Sequence, residues 1–179
     1  MKVTSLTKIA LFTCLLAIGA NIKIDTPFLV PFTLQVFVLS LIAHSLDPKE
    51  ASLTVLVYII IGLIGLPVFA GGNGGIGTVL LPSFGFLLGF IPATYILSLI
   101  SKKLSYHFNG FLLGTIVFII ILYSIALPYL FIILTKVLNI SLTLNTLFIS
   151  YFLIFLPTDI LSHFIGYLAS SRLKKSKLL

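Results

Sequence analysis

The sequence predicts an all-α integral membrane protein, a compact bundle of six transmembrane helices with both termini in the cytoplasm. Hydrophobic residues make up 59% of the 179 positions and charged residues only 8%, against roughly 25% charged residues in soluble domains. No charged residue occurs from position 51 to position 101. This composition excludes a soluble single-domain enzyme and a disordered chain. We therefore treat residues 1–179 as one transmembrane domain.

The positions of charges and helix breakers define the six helices. A bilayer core of ~30 Å requires about 20 helical residues per span. We place the helices at about 4–22, 33–46, 49–70 and 84–101, within 106–138 and within 145–173. Pro27 and Pro31 keep the segment before helix 2 out of helical geometry. Pro128 could divide helix 5 and give seven spans, but the piece after it is too short to cross a bilayer.

The basic residues set the orientation, because cytoplasmic loops carry an excess of Lys and Arg. With the N-terminus inside, the outer side receives only Lys23 and Lys136. The inner side receives nine basic residues, namely Lys2, Lys8, Lys49, Lys102, Lys103, Arg172, Lys174, Lys175 and Lys177. The net charge of +7 therefore reflects topology rather than nucleic-acid binding. The glycine-rich segment 71–77 lies on the outer side.

That glycine-rich segment contains a G-x-G-x-x-G pattern at Gly72, Gly74 and Gly77. A dinucleotide site would require a preceding strand and a following acidic residue. Here a membrane helix precedes the pattern, and the next charged residue is Lys102. Two interpretations remain: a flexible outer hinge, or irregular backbone that lines a cavity and offers N–H groups to an anionic group. The chain has no P-loop, so active transport would need a partner or an ion gradient.

Asp159 is the only acidic residue well inside a predicted span, and an ionisable group at that depth indicates a functional site by default. Ser162 and His163 follow at helical spacing on the same face. The alternative is an Asp–His pair that only fixes helix packing. Gln35 begins helix 2 and could bind a polar ligand edge. We predict no catalytic residue, because no second intramembrane carboxylate or activated nucleophile is evident, and no metal site.

Helix 1 carries a series of small residues, and such faces let membrane helices approach closely. They serve either packing within the bundle or docking of another membrane protein. The residues are Ala10, Thr13, Cys14, Ala17 and Ala20.

Three motifs together resemble those of the BioY family, the biotin-specific substrate-binding (S) components of energy-coupling-factor (ECF) transporters. Residues 62–77, GLIGLPVFAGGNGGIG, resemble the family's GLIGLPVFAGG-x-GG-x-G signature. Residues 31–35, PFTLQ, resemble its P-x-T-L-Q segment, and residues 156–159, LPTD, resemble its P-x-D motif. The resemblance extends over essentially the whole chain in the same order.

The resemblance implies capture of biotin on the outer side and its delivery inward with a transmembrane coupling subunit and two cytoplasmic ATPases. It implies a multi-pass protein of a bacterial-type cell membrane, with biotin as transported ligand and no cofactor. The small residues of helix 1 would dock on the coupling subunit. The expected substrate-binding residues are Thr33, Gln35, Gly71, Gly72, Asn73, Gly74, Gly75, Phe86, Asp159, Ser162 and His163.

Two positions depart from the family pattern. Ser162 occupies a position where members usually carry Lys, and Phe86 replaces a Tyr. Lys23 is then the obvious cation for a ligand carboxylate. Two alternatives stay open: an S component for thiamine, riboflavin or lipoate, or a stand-alone secondary transporter with Asp159 and His163 as its ion-coupling pair.

Overall fold

The computed structural model describes residues 3–104 and 108–176, and these residues form mainly helices. The helices are α1 (Val3–Asn21), α2 (Gln35–Ser45), α3 (Pro48–Leu63), α4 (Phe84–Lys103), α5 (Phe108–Ile132), α6 (Leu144–Phe148) and α7 (Leu156–Lys175). A 3₁₀ turn covers Ile76–Leu80, and π-helical turns follow α5 at Ile133–Val137 and α6 at Ile149–Leu153.

Four helical segments in the described part of the chain are long and apolar enough to cross a membrane. They are Val3–Asn21, Phe84–Lys103, Phe108–Val137 and Leu144–Lys174. Successive apolar helices of this kind define a multi-pass membrane protein, as the sequence predicts. The shorter apolar helix α2 has 11 residues.

Polar contacts identify the two ends of the bundle. The Ser5 hydroxyl at the start of α1 donates to Glu50 of α3. Lys102 at the end of α4 forms an ion pair with Asp47, which precedes α3. We call this side the basic end. The opposite side, the loop end, carries the connections α1–α2 and α3–α4. Helices α1 to α4 therefore alternate in direction.

Helix α2 lies at the centre of the bundle, where α1, α4 and α7 pack around it. Nine of its 11 residues are buried. Its contact with α7 is close because Gly166 has no side chain: a Cβ there would lie 2.6 Å from Cβ of Ser40. The Ser40 hydroxyl also donates to the backbone oxygen of His163 at 2.9 Å. This seam fixes the rotation of α7, which carries Asp159.

The all-α expectation missed a short antiparallel ladder at the loop end. Lys23 pairs with Thr33 and Ile24 with Phe32, so α2 begins at Gln35 instead of residue 33. Phe and Thr favour extended backbone, and Pro31 disfavours helix in the residue before it.

Helix 3 also ends earlier than predicted, at Leu63 instead of residue 70. Gly65 takes a φ of +112°, which an L-residue avoids and which ends the helix. Pro67 follows and cannot continue a helix. The remaining residues, 64–83, form the long connection to α4.

The last two predicted helices take different forms. Helix α5 continues through Pro128, so its division at that residue does not occur. The last predicted helix is instead divided into α6, a π turn and α7, with Pro157 in the first turn of α7, where its missing N–H is tolerated. The predicted start at Tyr106 and the inner charges Lys2 and Lys177 lie outside the described residues.

Candidate ligand-binding site

A cavity opens at the loop end among α2, α4, α5, α7 and the 64–83 connection. The empty space within it, counted together with open solvent at its mouth, is about 820 Å³. Most of the lining is apolar, and a few polar side chains stand out from it. The lining includes six phenylalanines: Phe32, Phe69, Phe84, Phe86, Phe90 and Phe155.

Asp159 of α7 provides the carboxylate of this cavity, and its partner is Tyr123 of α5. The Tyr123 hydroxyl donates to Oδ2 of Asp159 at 2.6 Å. Both residues line the cavity, and Asp159 is only 7% exposed. The rings of Phe86 and Phe152 meet Tyr123 edge-on at 5.8 and 4.8 Å. This packing fixes the phenol and, through it, the carboxylate.

Sequence reasoning missed Tyr123. The signal that could have identified it is a phenol in the middle of an apolar span, which is a reasonable partner for an intramembrane carboxylate. However, Tyr123 lies 36 residues from Asp159, and no local pattern shows which face of α5 meets α7.

Gln35 enters the cavity wall within a chain of hydrogen bonds. Thr33 donates its hydroxyl to Oε1 of Gln35 at 2.9 Å, and Nε2 of Gln35 donates to the Tyr58 hydroxyl at 3.1 Å. Tyr58 donates in turn to the backbone oxygen of Val68 at 3.1 Å. The carboxamide has two N–H donors, so one remains for a ligand. The chain of bonds also ties the start of α2 to the 64–83 connection.

Residues 69–73 form a tight turn, which we call the glycine-rich turn. Two of its side chains, Phe69 and Asn73, line the cavity. The Phe69 amide donates to the backbone oxygen of Asn73 at 2.9 Å, and Gly71 and Gly72 between them take φ values of +75° and +74°. Only residues without a Cβ adopt this conformation without strain. The glycines therefore shape the turn.

The structure divides the predicted substrate-binding residues into two groups. Those that line the cavity are Thr33, Gln35, Asn73, Phe86, Asp159 and Ser162. The cavity lining does not include Gly71, Gly72, Gly74, Gly75 or His163. The His163 side chain is fully buried, and its ring meets Phe118 at 4.3 Å. It lies about one helical turn beyond Asp159, and its imidazole packs away from the cavity lining.

The small residues of helix 1 are also divided. Ala10 and Cys14 are exposed, and Ala17 is half-buried. Thr13 and Ala20 are buried, because α1 packs on α2 and α3. The Thr13 hydroxyl donates to the backbone oxygen of Thr54 at 3.4 Å.

A second compartment adjoins the cavity at its mouth, and we call it the vestibule. It is lined by Lys23, Asp25, Thr26, Phe28 and Leu29, and it shares Pro31, Ala70, Asn73, Leu81 and Ser83 with the cavity. Lys23 and Asp25 form an ion pair of 2.7 Å. The vestibule therefore joins an apolar cavity to a charged rim.

An apolar cavity with a few fixed polar groups, enclosed by membrane helices, defines a membrane-embedded binding protein for a small molecule. The BioY family model matches residues 1–177. The chain belongs to the BioY family, as its motifs predict.

Two relatives and one solved structure illustrate the match. The chain is 40% identical to a probable biotin transporter BioY of Lysinibacillus sphaericus over 170 residues, 94% of this chain and 84% of that protein. It is 42% identical to a probable biotin transporter BioY of Pyrococcus horikoshii over 106 residues, 59% of this chain and 65% of that protein.

The solved structure is a crystal structure of the S-component for biotin from an ECF-type ABC transporter. It matches with a TM-score of 0.80 and 29% identity, over 97% of this chain and 92% of that one. The family and this structure confirm the expectation of a transport component rather than an enzyme.

Proposed function

We propose that this protein is the biotin-binding S component of an ECF-type importer. The observation that carries the proposal is the Asp159 carboxylate, held by Tyr123 on the wall of a phenylalanine-rich cavity. Membership of a family whose relatives are named as biotin transporters supports it.

The chemistry of biotin suits this cavity. Biotin has a ureido group with two N–H donors and one carbonyl, a thioether ring and an apolar chain that ends in a carboxylate. A carboxylate has about four lone-pair sites, so one bond from Tyr123 leaves Asp159 able to accept a ureido N–H. The spare N–H of Gln35 suits the ureido oxygen, and the phenylalanines pack against the ring.

Six crossings of the membrane fit the helices described above. We infer that α1, α2, α3, α4, α5 and the combined segment α6–α7 each cross once, with both termini in the cytoplasm. Helix α2 alone rises only about 16 Å, and its first two residues, Gln35 and Val36, line the cavity. The membrane is that of a bacterial-type cell, and the loop end faces outward because the basic residues collect at the other end.

Because the chain has no P-loop of its own, active delivery inward would need a partner or an ion gradient, and the family resemblance favours a partner. The coupling subunit and two ATPases that the family resemblance implies would supply the energy. Helix α1 offers the coupling subunit a surface of small residues that the bundle leaves at least partly uncovered, and such surfaces allow close approach. These residues are Ala10, Cys14 and Ala17.

Equilibrium binding to the purified protein tests the ligand. Biotin, thiamine, riboflavin and lipoate are titrated separately by calorimetry in detergent. We expect saturable one-site binding of biotin and no heat from the other three at the same concentrations. Absence of biotin binding, or tight binding of another vitamin, would contradict the proposal.

A further inference from the structure

Lys23 occupies a distinctive position at the junction of the vestibule and the cavity. Its strand pairs directly with Thr33, which lines the cavity. Its ammonium group lies over the glycine-rich turn, because a Cβ added at Gly71 would be 3.2 Å from Nζ of Lys23. In the part of the chain that the structure describes, no other lysine or arginine lines either compartment.

The present partner of Lys23 holds it only weakly. Asp25 lies 2.7 Å away, but its side chain is 76% exposed and that of Lys23 is 33% exposed. Such exposed pairs contribute little, since water and salt screen them. A second carboxylate that enters the vestibule can therefore replace Asp25 as the partner of Lys23 at a small cost in free energy.

The charges of Asp159 and Lys23 also favour one orientation of a bound ligand. Asp159, on the cavity wall, is buried, and in its ionised form it disfavours a second carboxylate nearby. Lys23 at the mouth favours one. An elongated ligand with a polar neutral head and a carboxylate tail is therefore oriented head inward and tail outward.

We propose that Lys23 receives the carboxylate of the bound ligand and thereby selects the free acid over its neutral derivatives. This inference rests on the proposed function, in which the ligand is biotin. Lys23 exchanges Asp25 for the ligand carboxylate, and the ring enters the cavity.

A double-mutant cycle between protein and ligand tests the proposal. Biotin and biotinamide, its uncharged primary amide, are titrated into wild-type protein and Lys23→Met, which is unbranched, one heavy atom shorter than Lys and uncharged. We expect wild-type protein to prefer biotin by about two- to fivefold, as for a partly exposed ion pair. In Lys23→Met the affinity for biotin falls by that factor, the affinity for biotinamide is unchanged, and the preference disappears.

Three further variants make the result specific. Lys23→Arg retains the preference, because it retains the charge. Asp25→Asn also retains it, because Lys23 is then free of its competitor. Lys136→Met changes neither affinity, since Lys136 lines neither compartment. The preference for biotin in wild-type protein shrinks as salt is added.

The outcomes separate this inference from the proposed function. If wild-type protein binds no biotin, the proposed function fails. If wild-type protein binds biotin but Lys23→Met keeps the same ratio of the two affinities, the role of Lys23 is overturned. An equal loss for both ligands overturns it too, because Lys23 then does not distinguish a carboxylate from an amide. Should Lys23→Met unfold, Lys23→Gln provides the same comparison.

Discussion

At the scale of single residues, the pair Asp159–Tyr123 holds an ionisable group inside a membrane helix. Charged groups at membrane depth are costly and usually pair with another group. Tyr123 provides one hydrogen bond and the surrounding rings fix its position. The remaining lone pairs of Asp159 can then accept hydrogen bonds from a ligand in the cavity.

Replacing Asp159 by Asn tests this residue. The amide matches the shape of the carboxylate but removes its charge and places an NH₂ group in the site. Because hydrogen bonds to charged groups contribute about 1.5–3 kcal/mol, we expect biotin affinity to fall about 10- to 100-fold by calorimetry. Unchanged affinity would remove Asp159 from the site.

Replacing Tyr123 by Phe removes the donor and keeps the ring. A neutral hydrogen bond contributes about 1 kcal/mol, so we expect a loss of biotin affinity of about fivefold. Tyr95→Phe is the matched control, since Tyr95 lies on α4 outside the cavity lining and should bind as wild type. Equal effects of the two substitutions would contradict the assignment of Tyr123 to the site.

At the scale of elements, the Phe69 side chain is one of the contacts that hold the connection 64–83 to the bundle. The Phe69 ring lies over Gly62 of α3, where a Cβ would be 2.1 Å from Cζ of Phe69. The same ring meets Tyr58 edge-on at 5.4 Å and lines the cavity. The position of the glycine-rich turn therefore depends on the absence of a side chain at residue 62.

Gly62→Ala tests this anchor. The added methyl group overpacks a filled site, at a cost of about 1–3 kcal/mol, and displaces Phe69. We expect a lower unfolding temperature of the purified protein and weaker biotin binding. Gly77→Ala is the control, because a Cβ at Gly77 meets nothing within 4 Å. If Gly62→Ala is as stable and binds as well as Gly77→Ala, Phe69 does not anchor the turn.

At the scale of the whole molecule, the account predicts which parts face each side of the membrane. In a Cys14→Ala background, single cysteines replace exposed Ser141, between α5 and α6, and exposed Ser176, after α7. A membrane-impermeant maleimide should label Ser141→Cys in intact cells and Ser176→Cys only after permeabilisation. The reverse pattern would contradict the orientation, and labelling of both in intact cells would contradict inner termini.

Much of the helical framework could be predicted from the sequence. In lipid, the backbone polar groups of a helix must form hydrogen bonds within that helix. The lengths of apolar stretches and the positions of charged residues therefore predict the helix bounds closely. Helix α1 was predicted at 4–22 and observed at Val3–Asn21. The short ladder at Lys23 and the early end of α3 were missed, because they depend on tertiary pairing and on a positive φ.

The site was harder to predict, because periodicity identifies a helix face but not its neighbour. Asp159 and Ser162 line the cavity, whereas His163 packs on Phe118. The rotation of α7 that separates them follows from its seam with α2 at Gly166, which only the folded structure shows.

The central claim is that biotin occupies the cavity between α4, α5 and α7, and two adjacent leucines test it most directly. Leu87 lines the cavity and is 8% exposed, whereas its neighbour Leu88 is 37% exposed and lies outside the lining. The chain contains no Trp, so Leu87→Trp and Leu88→Trp each introduce a single indole that also reports on folding by fluorescence. Titration by calorimetry should show biotin binding abolished in Leu87→Trp and unchanged in Leu88→Trp. Wild-type affinity in a folded Leu87→Trp protein would contradict the account, because the ligand would then bind elsewhere.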